Sequence, residues 1–95
     1  MNFELPIDKG FTIYSKPSCV NCIKAKKLLK ENKIEFKEIM CDEYLLEDKE
    51  KFLEFIKNLS KKECKFFPII FFDGNFIGGY YETLLSVEKM TLTFD

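Results

Sequence analysis

Two cysteines three positions apart, Cys19 and Cys22, are the residues of this chain best suited to chemistry. A C-x-x-C pair between a strand-like run and a helix-like run is typical of a thiol–disulfide redox site. Cys19 is predicted to lie at the start of the helix, where unpaired backbone N–H groups and the helix dipole favour negative charge. Such a position lowers the pKa of a thiol and raises the fraction of thiolate, which is the reacting form. The spacing therefore predicts a redox-active pair.

The alternatives for this pair are a buried structural disulfide or half of a zinc site. Structural zinc takes four ligands, and the other two cysteines, Cys41 and Cys64, are isolated in the chain. The sequence contains no histidine, which removes His-based metal sites and the Cys-His and Ser-His catalytic arrangements together. We predict redox chemistry and no metal.

The composition of the chain limits the classes of protein to which it can belong. The chain has 95 residues, of which 46% are hydrophobic and 33% charged, so we expect one globular domain over residues 1–95. A formal charge of −1 does not favour nucleic-acid binding, and no apolar run reaches the ~20 residues of a membrane span. The first residues do not resemble a signal or transit peptide, and four cysteines are too few for a disulfide scaffold. We expect a cytoplasmic protein.

Strand-type and helix-type patterns alternate along the chain. The patterns predict strands at about residues 10–15, 34–40, 67–72 and 76–77, and helices at about residues 20–31, 45–59 and 80–89. The first β-α-β unit requires parallel strands, and the turn at residues 73–75 makes the last two strands antiparallel. The sequence thus predicts an α/β fold of order β-α-β-α-β-β-α, with a four-stranded mixed sheet flanked by three helices.

Helical spacing also predicts which side chains of the first and last helices face the core. On the first helix, apolar residues share one side with Cys22: Ala25, Leu28 and Leu29. On the last helix, the residues expected to face the core are Leu84, Leu85 and Val87.

Three motifs in this order resemble the glutaredoxin family. They are Cys-Val-Asn-Cys at residues 19–22, Phe-Pro at residues 67–68 and Ile-Gly-Gly at residues 77–79, within a resemblance that spans residues 11–89. The resemblance implies a thioredoxin-like fold with sheet order 2-1-3-4 and the third strand antiparallel to the first. It also implies an enzyme that uses glutathione to reduce protein disulfides or glutathionylated mixed disulfides.

The resemblance assigns roles to individual residues. Cys19 aligns with the nucleophilic cysteine and Cys22 with the resolving cysteine. Lys16 aligns with a lysine that contacts glutathione, and Pro68 with a proline held in the cis form beside the active site. The backbone of Phe67 is expected to pair with the cysteinyl segment of glutathione.

The remaining expected ligand contacts lie after the fourth strand. Gly78 and Gly79 align with a glycine pair that lets the ligand approach the backbone. Tyr81 stands where the family usually has an Asp or Ser that binds the γ-glutamyl carboxylate. The sequence also has Val-Asn at residues 20–21 in place of Pro-Tyr, and Phe-Phe at residues 66–67 in place of Thr-Val. These departures bear on glutathione affinity rather than on the redox chemistry.

Two other functions fit parts of the pattern. Val20 beside an amide residue resembles glutaredoxin-like proteins that are reduced by thioredoxin reductase. Some relatives instead hold a [2Fe–2S] cluster between two monomers, although Cys22 and Val20 argue against that function here. By analogy alone, ribonucleotide reductase is an expected client. We expect a monomer that binds neither nucleic acid nor membranes.

Overall fold

Seven elements follow one another in the computed structural model, which describes residues 2–92. They are β1 (Phe11–Ser15), α1 (Val20–Glu31), β2 (Phe36–Met40), α2 (Asp42–Ser60), β3 (Ile69–Phe72), β4 (Asn75–Gly78) and α3 (Tyr80–Leu92). The predicted order of strands and helices is confirmed. Met1 and residues 93–95 lie outside the described residues, so the boundaries 1–95 of the domain stay a prediction.

The four strands form one mixed sheet in the order β2-β1-β3-β4. β1 lies parallel to β2 and antiparallel to β3, and β4 lies antiparallel to β3. Ile13, at the centre of β1, pairs with Glu38 on one side and with Ile70 on the other. This arrangement is the predicted thioredoxin-like fold, and it places the end of β1 beside the start of α1.

The core has two layers because successive side chains of a strand point to opposite faces of the sheet. On one face, Tyr14 packs in a cluster with Phe52 of α2. On the other face, Ile13 packs with Ala25 and Leu29 of α1. All five residues of β1 are buried, as expected of a central strand covered by helices on both faces.

The segment before β1 covers the α2 face of the core. The ring of Phe3 lies 5.0 Å from that of Tyr44, 5.5 Å from that of Phe52 and 5.3 Å from that of Phe55. The hydroxyl of buried Tyr14 donates a hydrogen bond to the carbonyl oxygen of Glu4 at 2.6 Å. Aromatic contacts and this hydrogen bond therefore fix an N-terminal segment for which the sequence predicted no element.

Several element boundaries differ from those predicted. α2 begins at Asp42 rather than near residue 45, and a kink at Asp48 (φ −155°, ψ 60°) interrupts it. β2 begins at Phe36, two residues later than predicted. β3 begins at Ile69, because Pro68 before it has no N–H to donate to a sheet. None of the helices in the described part of the chain is long and apolar enough to cross a membrane.

The predicted core face of α3 is wrong at one position. Leu85 is 58% exposed, whereas Thr83 and Val87 are buried and Leu84 is half-buried. Positions four apart share a helix face, so the Thr83–Val87 row points inward and Leu85 points to solvent. The buried Thr83 hydroxyl is satisfied, since it donates to the carbonyl oxygen of Gly79 at 2.9 Å.

Candidate active site

Cys19 is the N-cap of α1, at the edge of the sheet where β1 ends. Its backbone is extended (φ −109°, ψ 108°), and its Sγ accepts a hydrogen bond from the N–H of Cys22 at 3.2 Å. The first turn of α1 carries no acidic residue that would oppose negative charge there. The sulfur of Cys19 therefore lies where helix geometry stabilises a thiolate.

Cys19 and Cys22 are joined as a disulfide, with their Cα atoms 5.2 Å apart. Cys19 is 9% exposed and Cys22 is 2% exposed, so an external sulfur reaches Cys19 first. In this geometry the pair can exist as dithiol or disulfide, and Cys19 is the more accessible end.

The Phe67–Pro68 segment lies directly beside Cys19. The peptide bond between these residues is cis, as predicted. The Sγ of Cys19 lies 3.5 Å from the carbonyl oxygen of Phe67, a distance over which a reduced thiol can donate a weak hydrogen bond. The redox sulfur and the end of the loop before β3 thus form one continuous surface.

A groove of about 390 Å³ opens on the α2 side of this surface. Its lining residues are Lys16, Leu45, Leu46, Lys49, Leu53, Cys64, Lys65 and Phe67. The Nζ of Lys16 lies 5.6 Å from the centroid of the Phe67 ring, a cation–π arrangement. Lysines and apolar side chains make up this lining without an acidic residue, so the groove favours an anionic ligand with an apolar body. We call it the lysine groove.

A second cavity of about 230 Å³ opens on the other side of the Phe67–Pro68 peptide. Its lining residues are Lys62, Pro68, Ile69, Phe76, Ile77, Gly78, Gly79 and Glu82. Gly78 has a φ of +131°, a conformation that side chains rarely allow. We call this the glycine cavity. Tyr81 lies outside both linings; it is 65% exposed and contacts Tyr80 edge-on, with the ring centroids 5.3 Å apart.

Glu82 is a residue of this region that the sequence analysis missed. Its Oε1 accepts a hydrogen bond from the N–H of Gly79 at 2.8 Å. A Cβ added to Gly78 would lie 2.6 Å from the Cγ of Glu82, which shows how closely this side chain covers the glycines. The spacing from Gly79 to Glu82 is that of a capping box, in which a glutamate three residues into a helix reaches back to the cap N–H. That spacing was the signal that could have found it.

The other two cysteines differ from the pair. Cys41 is fully buried, and burial, together with the nearby Asp42, raises the pKa of its thiol to about 12. Cys64 is a free, half-buried cysteine in the lining of the lysine groove. Within residues 2–92 no three side chains of His, Cys, Asp or Glu come together as a metal-binding group.

Sequence comparisons place these features in a family. The glutaredoxin family model matches residues 11–77. Glutaredoxin 1 of Rickettsia conorii is 39% identical over 77 residues, covering 81% of this chain and 70% of the relative. Glutaredoxin 1 of Rickettsia felis is 40% identical over the same shares of both chains.

Solved structures agree with the sequence relatives. Glutaredoxin 1 from Francisella tularensis, complexed with cacodylate, superposes with a TM-score of 0.72 at 29% identity, covering 85% of this chain and 94% of that one. A buckwheat glutaredoxin, solved in complex with glutathione, has a TM-score of 0.68 at 20% identity and covers 88% and 73% of the two chains. The second likeness supports the fold alone. With a C-x-x-C disulfide at the start of α1 and a family match over most of its length, this chain belongs to the glutaredoxin family of thiol–disulfide oxidoreductases.

Proposed function

We propose that this enzyme uses glutathione to reduce protein disulfides and glutathionylated mixed disulfides. One observation carries the proposal. The Sγ of Cys19 lies 3.5 Å from the carbonyl of Phe67, and Phe67 and Pro68 line the lysine groove and the glycine cavity respectively. A ligand extended along this peptide would have its sulfur at Cys19 and its two ends in the two depressions.

The proposed cycle has two halves. The Cys19 thiolate attacks one sulfur of the substrate disulfide, and the other substrate sulfur leaves as a thiolate that takes up a proton. Cys22 then attacks Cys19, which releases the second substrate thiol and leaves the Cys19–Cys22 disulfide. One glutathione thiolate attacks Cys19 and frees Cys22, and a second attacks the glutathione sulfur of that mixed disulfide. The products are the reduced enzyme and oxidised glutathione.

The binding roles remain part of the proposal. We assign Lys16 to a carboxylate of glutathione and the backbone of Phe67, next to Pro68, to its cysteinyl segment, in the manner of an added strand. We assign Gly78 and Gly79 to close approach of the ligand at its γ-glutamyl end. Tyr81 would lie at the same end, where its hydroxyl can donate a hydrogen bond.

The cellular setting is also a proposal. Cys41 and Cys64 are free thiols, which suits a reducing compartment such as the cytoplasm. Ribonucleotide reductase as a client rests on family analogy. We propose that the enzyme acts as a monomer, because one chain supplies both cysteines and both depressions.

A coupled assay with alternative reductants tests the function. One arm contains glutathione and glutathione reductase, the other thioredoxin reductase, and both contain a small disulfide and NADPH. We expect turnover in the glutathione arm, none for Cys19→Ser, and unchanged turnover for Cys41→Ala. Turnover only with thioredoxin reductase would support the alternative reductant, and visible absorbance on purification would support the cluster-binding alternative.

Lys16→Gln tests the assignment of the lysine groove. The variant should raise the KM for glutathione about 5-fold, corresponding to about 1 kcal/mol for one charge contact in water, while reduction by dithiothreitol stays unchanged. Lys30→Gln is the matched control, because Lys30 lies in the last turn of α1, at the opposite end of that helix from Cys19. An equal effect in both variants would show a general charge effect and no specific contact.

A further inference from the structure

We infer that the hydroxyl of Ser15 is the hydrogen-bond partner of the Cys22 sulfur in the reduced enzyme and that it shifts the pair toward the dithiol. This inference rests on the proposed dithiol cycle. Ser15 is fully buried, and its Oγ has no hydrogen-bond partner in the disulfide form. Buried hydroxyls are nearly always paired, so one that is unpaired in one redox state calls for a partner in the other.

The face of β1 on which Ser15 lies is set by strand alternation. Phe11 and Ile13 belong to the core layer that contains Ala25 and Leu29 of α1. Ser15 is the next residue of that face, two positions after Ile13, at the end of the strand. Its side chain is therefore directed toward α1.

The residue of α1 that meets Ser15 follows from the direction of the helix. α1 begins at the edge of the sheet where β1 ends and runs back along it, with Ala25 and Leu29 as its buried row. Cys22 lies three residues before Ala25 on the same side of the helix and is 2% exposed. Cys22 thus lies on the face of α1 that packs against β1, and Ser15 lies on the face of β1 that packs against α1. The two residues are therefore at the same end of this core layer.

Reduction changes what the Cys22 sulfur offers to a neighbour. In the disulfide, this sulfur is bonded to Cys19 and is a weak acceptor. When the bond opens with the uptake of two electrons, the sulfur is released from Cys19 and becomes a thiol or thiolate. A thiolate accepts charge-assisted hydrogen bonds, and a hydroxyl proton can rotate to donate one. The Ser15 bond therefore forms only in the reduced state and stabilises it.

Ser15→Ala tests this inference through the equilibrium between dithiol and disulfide. The variant removes a bond from the reduced state and an unpaired hydroxyl from the oxidised state, so both effects favour the disulfide. We expect the equilibrium constant for disulfide formation to rise ~3- to 10-fold, the range of one net hydrogen bond. A 10-fold rise corresponds to a potential about 30 mV more negative for this two-electron couple. The measurement is equilibration in dithiothreitol redox buffers, acid quenching, alkylation and mass analysis.

Thr12→Val is the matched control. Thr12 is also fully buried in β1, but it lies on the opposite face, and its Oγ1 accepts a hydrogen bond from the N–H of Ile7 at 3.0 Å. Its loss should lower stability in both redox states and leave the dithiol–disulfide equilibrium unchanged. An equal shift in Thr12→Val and Ser15→Ala would overturn the inference, as would a Ser15→Ala equilibrium within 2-fold of wild type.

Urea unfolding in each redox state gives a second readout that a merely structural role would not produce. Ser15→Ala should leave the disulfide form as stable as wild type or more so, because no polar group is left unpaired. The dithiol form should lose stability. Equal losses in both forms would contradict the inference. Neither measurement uses glutathione, because dithiothreitol sets the redox state. If the coupled assay showed no turnover with glutathione, the proposed reductant would be wrong, but the test of Ser15 would still be valid.

Discussion

Position in the fold gives three of the four cysteines different reactivities. Cys19 caps α1 and is the accessible end of the disulfide, whereas Cys22 is almost completely buried behind it. Cys41 is fully buried, and burial raises the pKa of its thiol to about 12, which leaves almost no thiolate near neutral pH. These differences in access support the proposed roles of Cys19 as the attacking thiol and Cys22 as the resolving thiol.

Serine variants separate the two roles. Cys19→Ser should abolish both deglutathionylation and dithiol reduction, because Cys19 is the accessible sulfur at the start of α1 and Cys22 is buried behind it. Cys22→Ser should keep deglutathionylation and lose dithiol reduction, since only the second step of the dithiol cycle needs a resolving thiol. Parallel assays with a glutathionylated peptide and a protein disulfide measure the two activities. The mechanism fails if both variants lose both activities equally.

Glu82 gives a second prediction at the residue scale. Its carboxylate lines the glycine cavity, where the proposed ligand brings a carboxylate of its own. Glu82→Gln keeps the oxygen that accepts from the N–H of Gly79 and removes the like charge. We expect the KM for glutathione to fall about 5-fold, as one repulsive contact of about 1 kcal/mol implies.

The control for this variant is Glu88→Gln, which removes an exposed charge from α3 farther along the helix. Steady-state kinetics at fixed disulfide concentration measures both KM values. A KM that is unchanged or higher in Glu82→Gln would argue that the γ-glutamyl end binds elsewhere.

At the scale of elements, the helix ends are set by local geometry more than by apolar pattern. α2 ends at Ser60, and the C-cap residue Lys61 has a left-handed backbone (φ 64°). Its N–H donates a hydrogen bond to the carbonyl oxygen of Lys57 at 2.8 Å. Glycine adopts this conformation without a steric penalty, whereas residues with a Cβ do not. The C-cap geometry of α2 is therefore formed by a lysine, although a left-handed backbone is unfavourable for a residue with a Cβ.

Lys61→Gly should stabilise the protein for this reason. Relief of the left-handed strain should raise the free energy of unfolding by about 1 kcal/mol, after the added backbone entropy of glycine in the unfolded chain is set against it. Urea unfolding monitored by circular dichroism measures the difference. Lys62→Gly is the control, because the neighbouring lysine does not have a positive φ and should gain nothing. A gain of the same size in the control would contradict the explanation.

For the whole molecule, the α2 layer of the core contains two groups that must stay neutral. Burial raises the pKa of the Cys41 thiol from its ordinary 9.0 to about 12, and burial also raises the pKa of the Tyr14 hydroxyl. Because both groups ionise more easily in the unfolded chain, the folded state loses relative stability as the pH rises above about 9. We therefore expect the stability of the protein to fall at alkaline pH, first through Cys41 and then through Tyr14.

The measurement is the free energy of unfolding of the disulfide form between pH 7 and pH 10.5. We expect constant stability below about pH 9 and then a loss approaching 1.4 kcal/mol per pH unit from Cys41. Cys41→Ala should remove most of this loss between pH 9 and pH 10, because an unfolded tyrosine, with an ordinary pKa of 10.0, has only begun to ionise there and Tyr14 therefore adds little. A wild-type slope that survives in Cys41→Ala would assign the loss to other groups.

Local sequence signals determined much of this protein. The bounds of α1 are those predicted. Pro17 and Ser18 interrupt the strand just before the C-x-x-C, and Asn32 and Lys33 follow the last helical residue, so both ends are marked by residues next to the helix. The turn between β3 and β4 follows from Asp73 and Gly74, which take left-handed conformations of φ 50° and 80°. The bounds of α1 and this turn depend on residues that are close together in the chain, so the sequence alone is sufficient to predict them.

Tertiary structure decided the rest, because those features depend on residues distant in the chain. Thr83 rather than Leu85 faces the core, since the rotation of α3 is set by its packing against the sheet and α1. The Phe67 carbonyl reaches Cys19 from 48 positions away, and only the pairing of β1 with β3 brings them together. Ser15 is an ordinary polar residue in the sequence. Only the tertiary structure shows that its hydroxyl is completely buried without a hydrogen-bond partner, which is the observation behind the inferred bond to Cys22.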